Sequence, residues 1–285
     1  MKIGIVGNGF VGNAVRNGFS PNVGCDAEVK VYDKNPSKST DRLIDVVNDS
    51  DFVFVSVPTP SFENGDINLQ ILDNCLRDIY SISKNEETIF LVRSTVVPGT
   101  TMKLKEKYNT LRLVFNPEFL TERSANFDFI NQTRFILGGD TEDTTKVSNL
   151  FRWRFGKSIS VIETDYESAE MVKYMTNTFL ATKVSFLNDM KILCEKVGGE
   201  WEDVLEGFIR DGRVGHTHLN VPGHDGKFGF GGSCFPKDIQ AIINFADSLG
   251  LTMDTLKGVW KTNIKVRPEK DWEKLEGRAI TKDKK

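Results

Sequence analysis

The stretch Lys2-Ile3-Gly4-Ile5-Val6-Gly7-Asn8-Gly9-Phe10-Val11-Gly12 decides the fold of this 285-residue chain. An apolar run typical of a buried strand leads directly into the pattern Gly-x-Gly-x-x-Gly, and a helical stretch follows it. In that context Gly7 permits a tight turn, Gly9 lets a pyrophosphate approach the backbone, and Gly12 lets helix and strand pack closely. The sequence therefore predicts a dinucleotide-binding loop, and a glycine turn without a ligand is the alternative interpretation.

Other residues of the predicted cofactor site follow from the same arrangement. Phe10 and Val11 open the helix, whose N-terminus presents free N–H groups to the phosphates. Asp33 ends the second strand about 20 residues later, where a carboxylate binds ribose hydroxyls and repels a 2′-phosphate, so NAD is favoured over NADP. Two further segments end the third and fourth strands, at the edge where open α/β sheets bind ligands: Val57-Pro58-Thr59 and Ser94-Thr95.

Short apolar runs rich in Val, Ile and Phe alternate with helical stretches through the first part of the chain, as expected for strands buried on both faces. This alternation predicts an α/β fold with a Rossmann-type, doubly wound parallel sheet over residues 1–164. The predicted strands are Lys2–Val6, Val29–Tyr32, Phe52–Val57, Ile89–Arg93, Leu113–Phe115, Phe135–Leu137 and Ile159–Ile162.

An all-α domain with long helices is predicted for residues 165–266. Thr164-Asp165-Tyr166-Glu167 has the spacing of a capping box, and a helix without Gly or Pro then runs to Val197, before Gly198 and Gly199. Further helices are predicted over Glu200–Arg210, from Pro236 to Gly250 and over Met253–Val266. Pro268 breaks the last one, and residues 267–285 have the composition of a charged tail.

The composition excludes several classes of protein. With 37 basic and 40 acidic residues the net charge is −3, so nucleic acid is not an expected partner. No apolar run approaches the roughly 18 residues of a membrane helix, and because the first strand starts at Lys2, no signal peptide is expected. The four cysteines, Cys25, Cys75, Cys194 and Cys234, have no paired spacing. A reduced, cytoplasmic protein without disulfides is therefore expected.

The strongest candidate for chemistry is Cys234, in the run Gly229-Phe230-Gly231-Gly232-Ser233-Cys234-Phe235-Pro236-Lys237-Asp238. A helix should start just after the thiol, and its positive end, together with Lys237, favours a thiolate. Asp238 follows one turn later and is expected to point at the same site. The preceding glycines would let another molecule approach the backbone closely. A buried structural cysteine is the alternative interpretation.

Two further groups of polar residues are candidates for the same chemistry. Lys173 and Asn177 are four residues apart on the long helix, so they share a face, and an amine and an amide there would hold an alkoxide or a substrate hydroxyl. The run Asn116–Glu122 follows a strand and carries Glu118 and Glu122, either of which would act as a base or order a water. The alternative for Lys173 and Asn177 is a solvated lysine and a surface amide, and the alternative for the acidic run is a helix N-terminus that carries acids.

These motifs together resemble the UDP-glucose/GDP-mannose dehydrogenase family. They occur in the family's order and extend from residue 7 to residue 238: Gly7–Gly12, Ser94-Thr95, Asn116–Glu122, Lys173 with Asn177, Asp211–Gly215 and Gly229–Asp238. The resemblance implies NAD-dependent, four-electron oxidation of the C6 alcohol of a nucleotide sugar to a carboxylate, in polysaccharide biosynthesis. UDP-glucose is the expected substrate, and a homodimer built on the helical domain is the expected assembly.

The resemblance also implies roles for individual residues. Cys234 would be the nucleophile, Lys173 would stabilise oxyanions with help from Asn177, and Asp238, Thr95 and Glu122 would position water or relay protons. Glu118 would be a base or a substrate contact. Arg213 would meet the sugar or a phosphate, under a covering loop from His218 to Lys227. The further expected substrate contacts are Phe119, Leu120 and Gly231.

The sequence departs from the family at its C-terminal side, where family members usually continue into a third domain that holds much of the nucleotide. Two alternatives therefore stay open. A two-domain β-hydroxyacid dehydrogenase resembles this chain in length, glycine loop and Lys-x-x-x-Asn pair, but has no need for Cys234. A NAD-binding subunit without turnover is the other. His216, His218 and His224 lack suitably spaced partner ligands, so no metal is expected.

Overall fold

The computed structural model describes residues 1–282, which form two compact units. The first comprises Met1–Thr59 and Leu69–Lys173. The second comprises Pro60–Asn68 and the chain from Tyr174 onward. The sequence-based domain bounds divide the chain consecutively, whereas the contacts assign the insertion Pro60–Asn68 to the second unit.

The first unit is built on a seven-stranded sheet in the order β2-β1-β3-β4-β5-β6-β7. All seven predicted strands are present, and none of their ends differs from the prediction by more than two residues. Their bounds are β1 Lys2–Val6, β2 Glu28–Tyr32, β3 Phe52–Val55, β4 Ile89–Val92, β5 Arg112–Phe115, β6 Arg134–Gly138 and β7 Ser160–Thr164.

One part of the predicted parallel sheet is wrong, because β6 pairs antiparallel with β5, through Phe115 and Gly138. β7 then pairs parallel with β6, so this edge pair runs opposite to the other five strands. The apolar run of β6 is buried on both faces whichever way it runs. Its composition therefore predicts a buried strand but not the strand's direction.

Helices cover both faces of this sheet. Along β3, Phe52 and Phe54 belong to one apolar cluster and Val53 and Val55 to another, as expected for side chains that alternate between two buried faces. The helices of the first unit are α1 Phe10–Gly18, α2 Leu43–Asn48, α3 Gln70–Ile82, α4 Thr100–Lys107, α5 Ala125–Ile130 and α6 Thr141–Phe155. The carboxyl ends of the parallel strands are thereby fixed in a three-layered scaffold, with the sheet between two layers of helices.

The long predicted helix is present as α7, Tyr166–Lys196, and the boundary between the two units falls within it. Its cap differs from the predicted one. Thr164 is the last residue of β7, and Asp165 is the residue whose carboxylate accepts a hydrogen bond from Ser168 N at 2.7 Å. Gly198, with φ +78°, follows the helix in the left-handed conformation that ends many helices.

The second unit adds three helices to its part of α7: α8 Trp201–Ile209, α9 Phe235–Ser248 and α10 Asp254–Val266. Part of its core forms where Leu187 of α7 meets Trp201 and the loop residues Leu219 and Val221.

The run after Pro268, predicted as a charged tail, packs against this unit over its described part. Trp272 is buried and its ring centroid lies 5.4 Å from that of Trp260. Ser61 N donates to Ala279 O at 2.9 Å, and Thr281 N donates to Ser61 O at 2.8 Å. The insertion and the C-terminal run are thus joined as neighbouring extended segments. Within residues 1–282, no helix combines the length and apolarity needed to cross a membrane.

Candidate active site

The glycine loop has the geometry that its sequence predicts. Gly7 has φ +92°, and a Cβ there would lie 2.6 Å from Ser56 O, while a Cβ on Gly12 would lie 1.9 Å from Gly7 O. A Cβ on Gly9 would meet no atom of the described residues within 4 Å. Gly7 and Gly12 are therefore required by the fold itself. Gly9 leaves open space over the backbone, as a bound pyrophosphate needs.

Asp33 lies beside this loop at the end of β2. Its Oδ2 accepts from Asn8 N at 2.6 Å, and its Oδ1 accepts from Asn35 N at 2.8 Å. Gly9 caps α1 without any side-chain hydrogen bond to the helix end, so Phe10 and Val11 begin a helix with N–H groups to offer. An open glycine, an uncapped helix end and a fixed carboxylate fit the pyrophosphate and ribose of NAD.

The loops after β3 and β4 are tied together by two hydroxyl groups. Ser94 Oγ donates to Val57 O at 2.6 Å, and Thr59 Oγ1 donates to Thr95 O at 2.7 Å. Ser94 and Thr59 are buried, whereas Pro58 between the loops is exposed. The structure thus brings these five predicted residues to one edge of the sheet, where the two buried hydroxyls hold the loops in place.

Glu118 and Lys173 form a buried ion pair, which we call the acid–lysine pair. Lys173 Nζ lies 2.9 Å from Glu118 Oε1 and also donates to the main-chain oxygen of Glu118. Leu120 N donates to Glu118 Oε2 at 2.8 Å, and the Phe119 ring centroid lies 5.4 Å from Lys173 Nζ. The run after β5 therefore folds around the ammonium of Lys173.

The charges of this region hold Glu118 in its ionised form. Burial raises the pKa of Glu118, but the Lys173 ammonium, the Leu120 N–H and the charge of Arg93 outweigh it, so the pKa lies below its ordinary value. Arg93 is buried in turn between the rings of Phe54 and Phe129. Its burial lowers the pKa of the guanidinium to about 10, an effect that the charge of Glu118 partly opposes.

Cys234, Asp238 and Asn177 form a second group, which we call the thiol cluster. Cys234 is half-buried and caps α9, so its sulfur lies at the helix end that favours an anion. Asn177 Nδ2 donates to Asp238 Oδ2 at 2.6 Å, and Lys237 Nζ lies 2.5 Å from Asp238 Oδ1. Asn177 was predicted to act with Lys173, but its amide binds the Asp238 carboxylate one turn beyond the thiol.

The predicted reason for two glycines before the thiol is wrong. A Cβ on Gly229 would lie 2.4 Å from Asn263 Oδ1, and one on Gly231 would lie 2.6 Å from Arg267 Nη2. The space beside these glycines is occupied by the chain's own side chains and not left for an incoming molecule. At Gly232, with φ +73°, a Cβ would meet no described atom within 4 Å.

The remaining predicted site residues are exposed. Arg213 is 90% exposed at its side chain, and its Nε donates to Asp211 Oδ1 at 2.9 Å. No hydrogen bond in the described chain joins Arg213 to another predicted site residue. Glu122 is exposed at the start of a short 3-10 helix, Glu122–Ser124. Across residues 1–282, no group of three or more His, Cys, Asp or Glu side chains has an arrangement suited to a metal.

Several polar residues of these two sites were not identified from the sequence. Glu170 is buried and accepts from Gly99 N at 2.6 Å and Thr101 N at 2.8 Å, which ties α4 to α7. Asn188 and Asn263 are buried within helices and bind the glycine run before Cys234. Asparagine is unfavourable inside a helix, so an asparagine at a buried position of a predicted helix indicates a specific hydrogen-bonding role.

Two family models match successive parts of the chain. Residues 30–153 match the model of the UDP-glucose/GDP-mannose dehydrogenase family, NAD binding domain. Residues 167–265 match the model of the central domain of the same family. The two matches contain Asp33, the acid–lysine pair and the thiol cluster.

Comparison with individual relatives indicates the same family. The UDP-glucose 6-dehydrogenase of Rickettsia felis is 31% identical over 96% of this chain and 67% of its own length. The structure of a UDP-glucose dehydrogenase from Pyrobaculum islandicum has a TM-score of 0.77 and 28% identity, and covers 93% of this chain and 68% of that one. The chain spans only 50% and 63% of two other relatives, from Rickettsia typhi and Bacillus subtilis.

Another solved structure is similar in fold over nearly its whole length. The 3-hydroxyisobutyrate dehydrogenase of Mycobacterium tuberculosis has a TM-score of 0.72, and the match covers 94% of both chains. At 18% identity, this likeness concerns the fold alone.

The glycine loop gives a test that separates binding from folding. Gly9→Ala adds a methyl group to open space over the expected pyrophosphate, so the variant should fold normally but bind NAD much more weakly. Gly12→Ala adds the same methyl group against Gly7 O and should lower the melting temperature. Calorimetric titration with NAD and thermal unfolding measure the two effects. Normal NAD affinity in Gly9→Ala would contradict the assignment of this loop.

The acid–lysine pair gives a test of stability. Glu118→Gln leaves the buried Lys173 charge without its partner and should lower the free energy of unfolding by about 3–5 kcal/mol at neutral pH. Urea unfolding measures the loss. Glu122→Gln, an exposed acid in the same run, is the matched control and should change the value by about 0.5 kcal/mol or less.

The same pair predicts the pH dependence of that difference. The folded-state pKa of Glu118 lies below its ordinary value of 4.5, so the ionised pair stabilises the protein above that pH. This contribution is lost as the pH falls through the lowered pKa. The stability difference between wild type and Glu118→Gln should therefore be complete at neutral pH and shrink in acid. A constant difference would contradict the ionised state of Glu118.

Proposed function

Because the chain belongs to the UDP-glucose/GDP-mannose dehydrogenase family, we propose that it oxidises the C6 alcohol of a nucleotide sugar to a carboxylate with NAD. The conversion of UDP-glucose to UDP-glucuronate is the expected reaction. The observation that carries this proposal is the position of Cys234 at the N-terminus of α9, one turn from the buried Asp238 that Asn177 binds. A NAD-dependent enzyme that stops after one oxidation has no need of such a thiol.

The thiol solves a chemical problem of the second oxidation. Removal of hydride from C6 and of the hydroxyl proton gives an aldehyde, which has no hydroxyl to support loss of another hydride. Addition of Cys234 Sγ to the aldehyde carbon, with a proton to its oxygen, gives a thiohemiacetal that again has C–H and O–H on one carbon. Loss of hydride and proton then leaves a thioester, and water releases the acid and the thiol. Bound NAD would supply the hydride acceptor for each step.

Other residues have supporting roles in this proposal. Lys173 stabilises the oxyanions that form at C6, since a buried ammonium is most effective where water is excluded. Asn177 holds Asp238, and Asp238, Thr95 and Glu122 order water or relay protons. Glu118 keeps Lys173 charged and in place, and in this role it acts through the lysine. Its other proposed role is that of a base. Arg213, which is exposed and paired with Asp211, meets the sugar or a phosphate once substrate is bound.

The β-hydroxyacid dehydrogenase interpretation is the second candidate, and it rests on sequence features. It shares the glycine loop and the Lys-x-x-x-Asn pair with the first proposal. It assigns no task to Cys234, so the role of the thiol separates the two candidates.

A homodimer formed through α7 is part of the proposal. Five apolar side chains on this helix and directly after it are more than half exposed: Met175, Phe179, Phe186 and Leu193 within α7, and Val197 next to its last residue. Their spacing of four, seven, seven and four residues puts them on one stripe about 33 Å long. An exposed apolar stripe of this kind is typical of a surface that another protein covers. A second copy of the chain is the occupant we propose, in a cytoplasmic enzyme with free thiols.

The number of NADH molecules formed per UDP-glucose consumed tests the reaction. A ratio of about two is expected for the wild type, with turnover lost or an aldehyde adduct trapped in Cys234→Ser. Absorbance at the NADH band and chromatography of the sugar products measure the ratio. A ratio of about one that is unaffected by Cys234→Ser would support the β-hydroxyacid reading. Absence of turnover with a panel of nucleotide sugars, despite NAD binding, would support a binding subunit.

The mass in solution tests the dimer. Phe179→Glu puts a charge in the middle of the stripe and should convert a dimer into a monomer, as measured by light scattering after gel filtration. Phe127→Glu is the matched control, because Phe127 on α5 is 68% exposed and Phe179 is 67% exposed. A monomeric mass for the wild type at micromolar concentration would contradict the proposal.

A further inference from the structure

We propose that Asn263 and Arg267, at the C-terminal end of α10, are positioning residues that hold the thiol of Cys234 in place. The inference rests on the proposed role of Cys234. Neither residue was a sequence candidate for the site. The evidence is the set of hydrogen bonds they make to the glycine run before the thiol, and the fit of that run to their side chains.

Asn263 binds the backbone of Phe230 in both directions. Its Oδ1 accepts from Phe230 N at 2.7 Å, and its Nδ2 donates to Phe230 O at 3.0 Å. Asn188 of α7 adds a third bond, with Gly229 N donating to its Oδ1 at 2.9 Å. Asn263 and Asn188 are almost completely buried. The two side-chain amides thus make the backbone hydrogen bonds that a neighbouring strand would make in a sheet.

Arg267 fixes the segment just before. Its Nη1 donates to Phe228 O at 3.3 Å, and its Nε and Nη2 lie 2.7 and 2.9 Å from the two carboxylate oxygens of Asp271. Its Nη2 also lies 2.5 Å from Asp225 Oδ2. The guanidinium is 3% exposed, so these bonds form away from solvent, where they are strong.

The glycines of the run fit these two side chains. A Cβ on Gly229 would overlap Asn263 Oδ1, and a Cβ on Gly231 would overlap Arg267 Nη2. At both positions a larger residue would push the loop away from α10. Two of the motif's glycines are therefore explained by packing onto Asn263 and Arg267.

Phe230 contacts Phe235, and these two residues lie on either side of Cys234 in the sequence. The Phe230 ring packs edge-on against Phe235, with centroids 6.0 Å apart at 80°. Cys234 lies between these two residues in sequence, after Gly231 and Gly232. Glycine backbones are permissive, so anchors on both sides are needed to hold the sulfur at the N-terminus of α9. Asn263 provides one anchor, and the start of α9 provides the other.

The experiment measures the accessibility of the thiol without substrate. In Asn263→Ala the released loop should expose Cys234, and iodoacetamide should alkylate it several-fold faster, as followed by peptide mass spectrometry on folded protein. The value of kcat should fall about ten- to a hundred-fold while KM for NAD is unchanged, because only the thiol is displaced. Asn48→Ala is the matched control: Asn48 accepts from Lys84 N and donates to Ile82 O, in the first unit.

A structural role alone would give a different pattern. The melting temperature of Asn263→Ala would fall, with the alkylation rate of folded protein and kcat unchanged, and that result overturns the proposal. Arg267→Lys serves as a second variant should Asn263→Ala fail to fold, because lysine keeps the charge but cannot bind Asp271 through two nitrogens. It should show the same faster alkylation in a milder form. The alkylation result stands whether or not a nucleotide sugar is turned over.

Discussion

The buried ion pair of Glu118 and Lys173 is the interaction on which the arrangement of the first unit's functional residues depends. An ammonium in an apolar interior needs a carboxylate nearby, and Lys173 obtains one only because the run after β5 folds back over α7. The requirement orders Phe119 and Leu120 around the same charge. Arg93 adds a second cation, so positive charge is in excess here and favours the ionised form of Glu118. Chemistry that needs a fixed positive charge therefore has one built into the scaffold.

In the second unit, the buried group that needs partners is a carboxylate. Asp238 is shared by the amide of Asn177 and the ammonium of Lys237, so its orientation is determined from two directions. Cys234 lies one helical turn before it and receives the partial positive charge of the same helix end. Hydrogen bonds from α7 and α10 hold the backbone that leads to the thiol. Each functional group is thus held by elements far from it in sequence.

Patterns in the sequence predicted those features of the fold that depend on residues close together along the chain. The glycine loop, Asp33, all seven strands and the long helix follow from spacing and residue type. The direction of β6 does not, because an apolar strand that is buried on both faces reads the same in either direction. The cap at Asp165 was misplaced by one residue, since Thr164 and Asp165 are both good caps and only the end of β7 decides between them.

What remained hidden depends on contacts between distant segments. Asn263 lies near the C-terminal end of α10 and Arg267 directly follows the helix, and neither belongs to a recognisable motif. Their role is visible only in the structure, where Gly229 and Gly231 pack against their side chains. The hydrogen bond from Asn177 to Asp238 was not predicted, because helical spacing to Lys173 says which face the residue shares and not what lies opposite.

The pairing of Ser61 with Ala279 and Thr281 has a consequence for the order of synthesis. Pro60–Asn68 leaves the ribosome long before its partner segment, which includes Ala279 and Thr281, has been translated. The first unit has all of its residues once Lys173 has emerged, whereas the second must wait with one extended segment unpaired. Closing so long a loop is slow, and an unpaired strand edge invites association with other chains until it closes. The second unit therefore completes its fold only after Thr281 has emerged, and until then the extended segment at Ser61 needs protection from other chains.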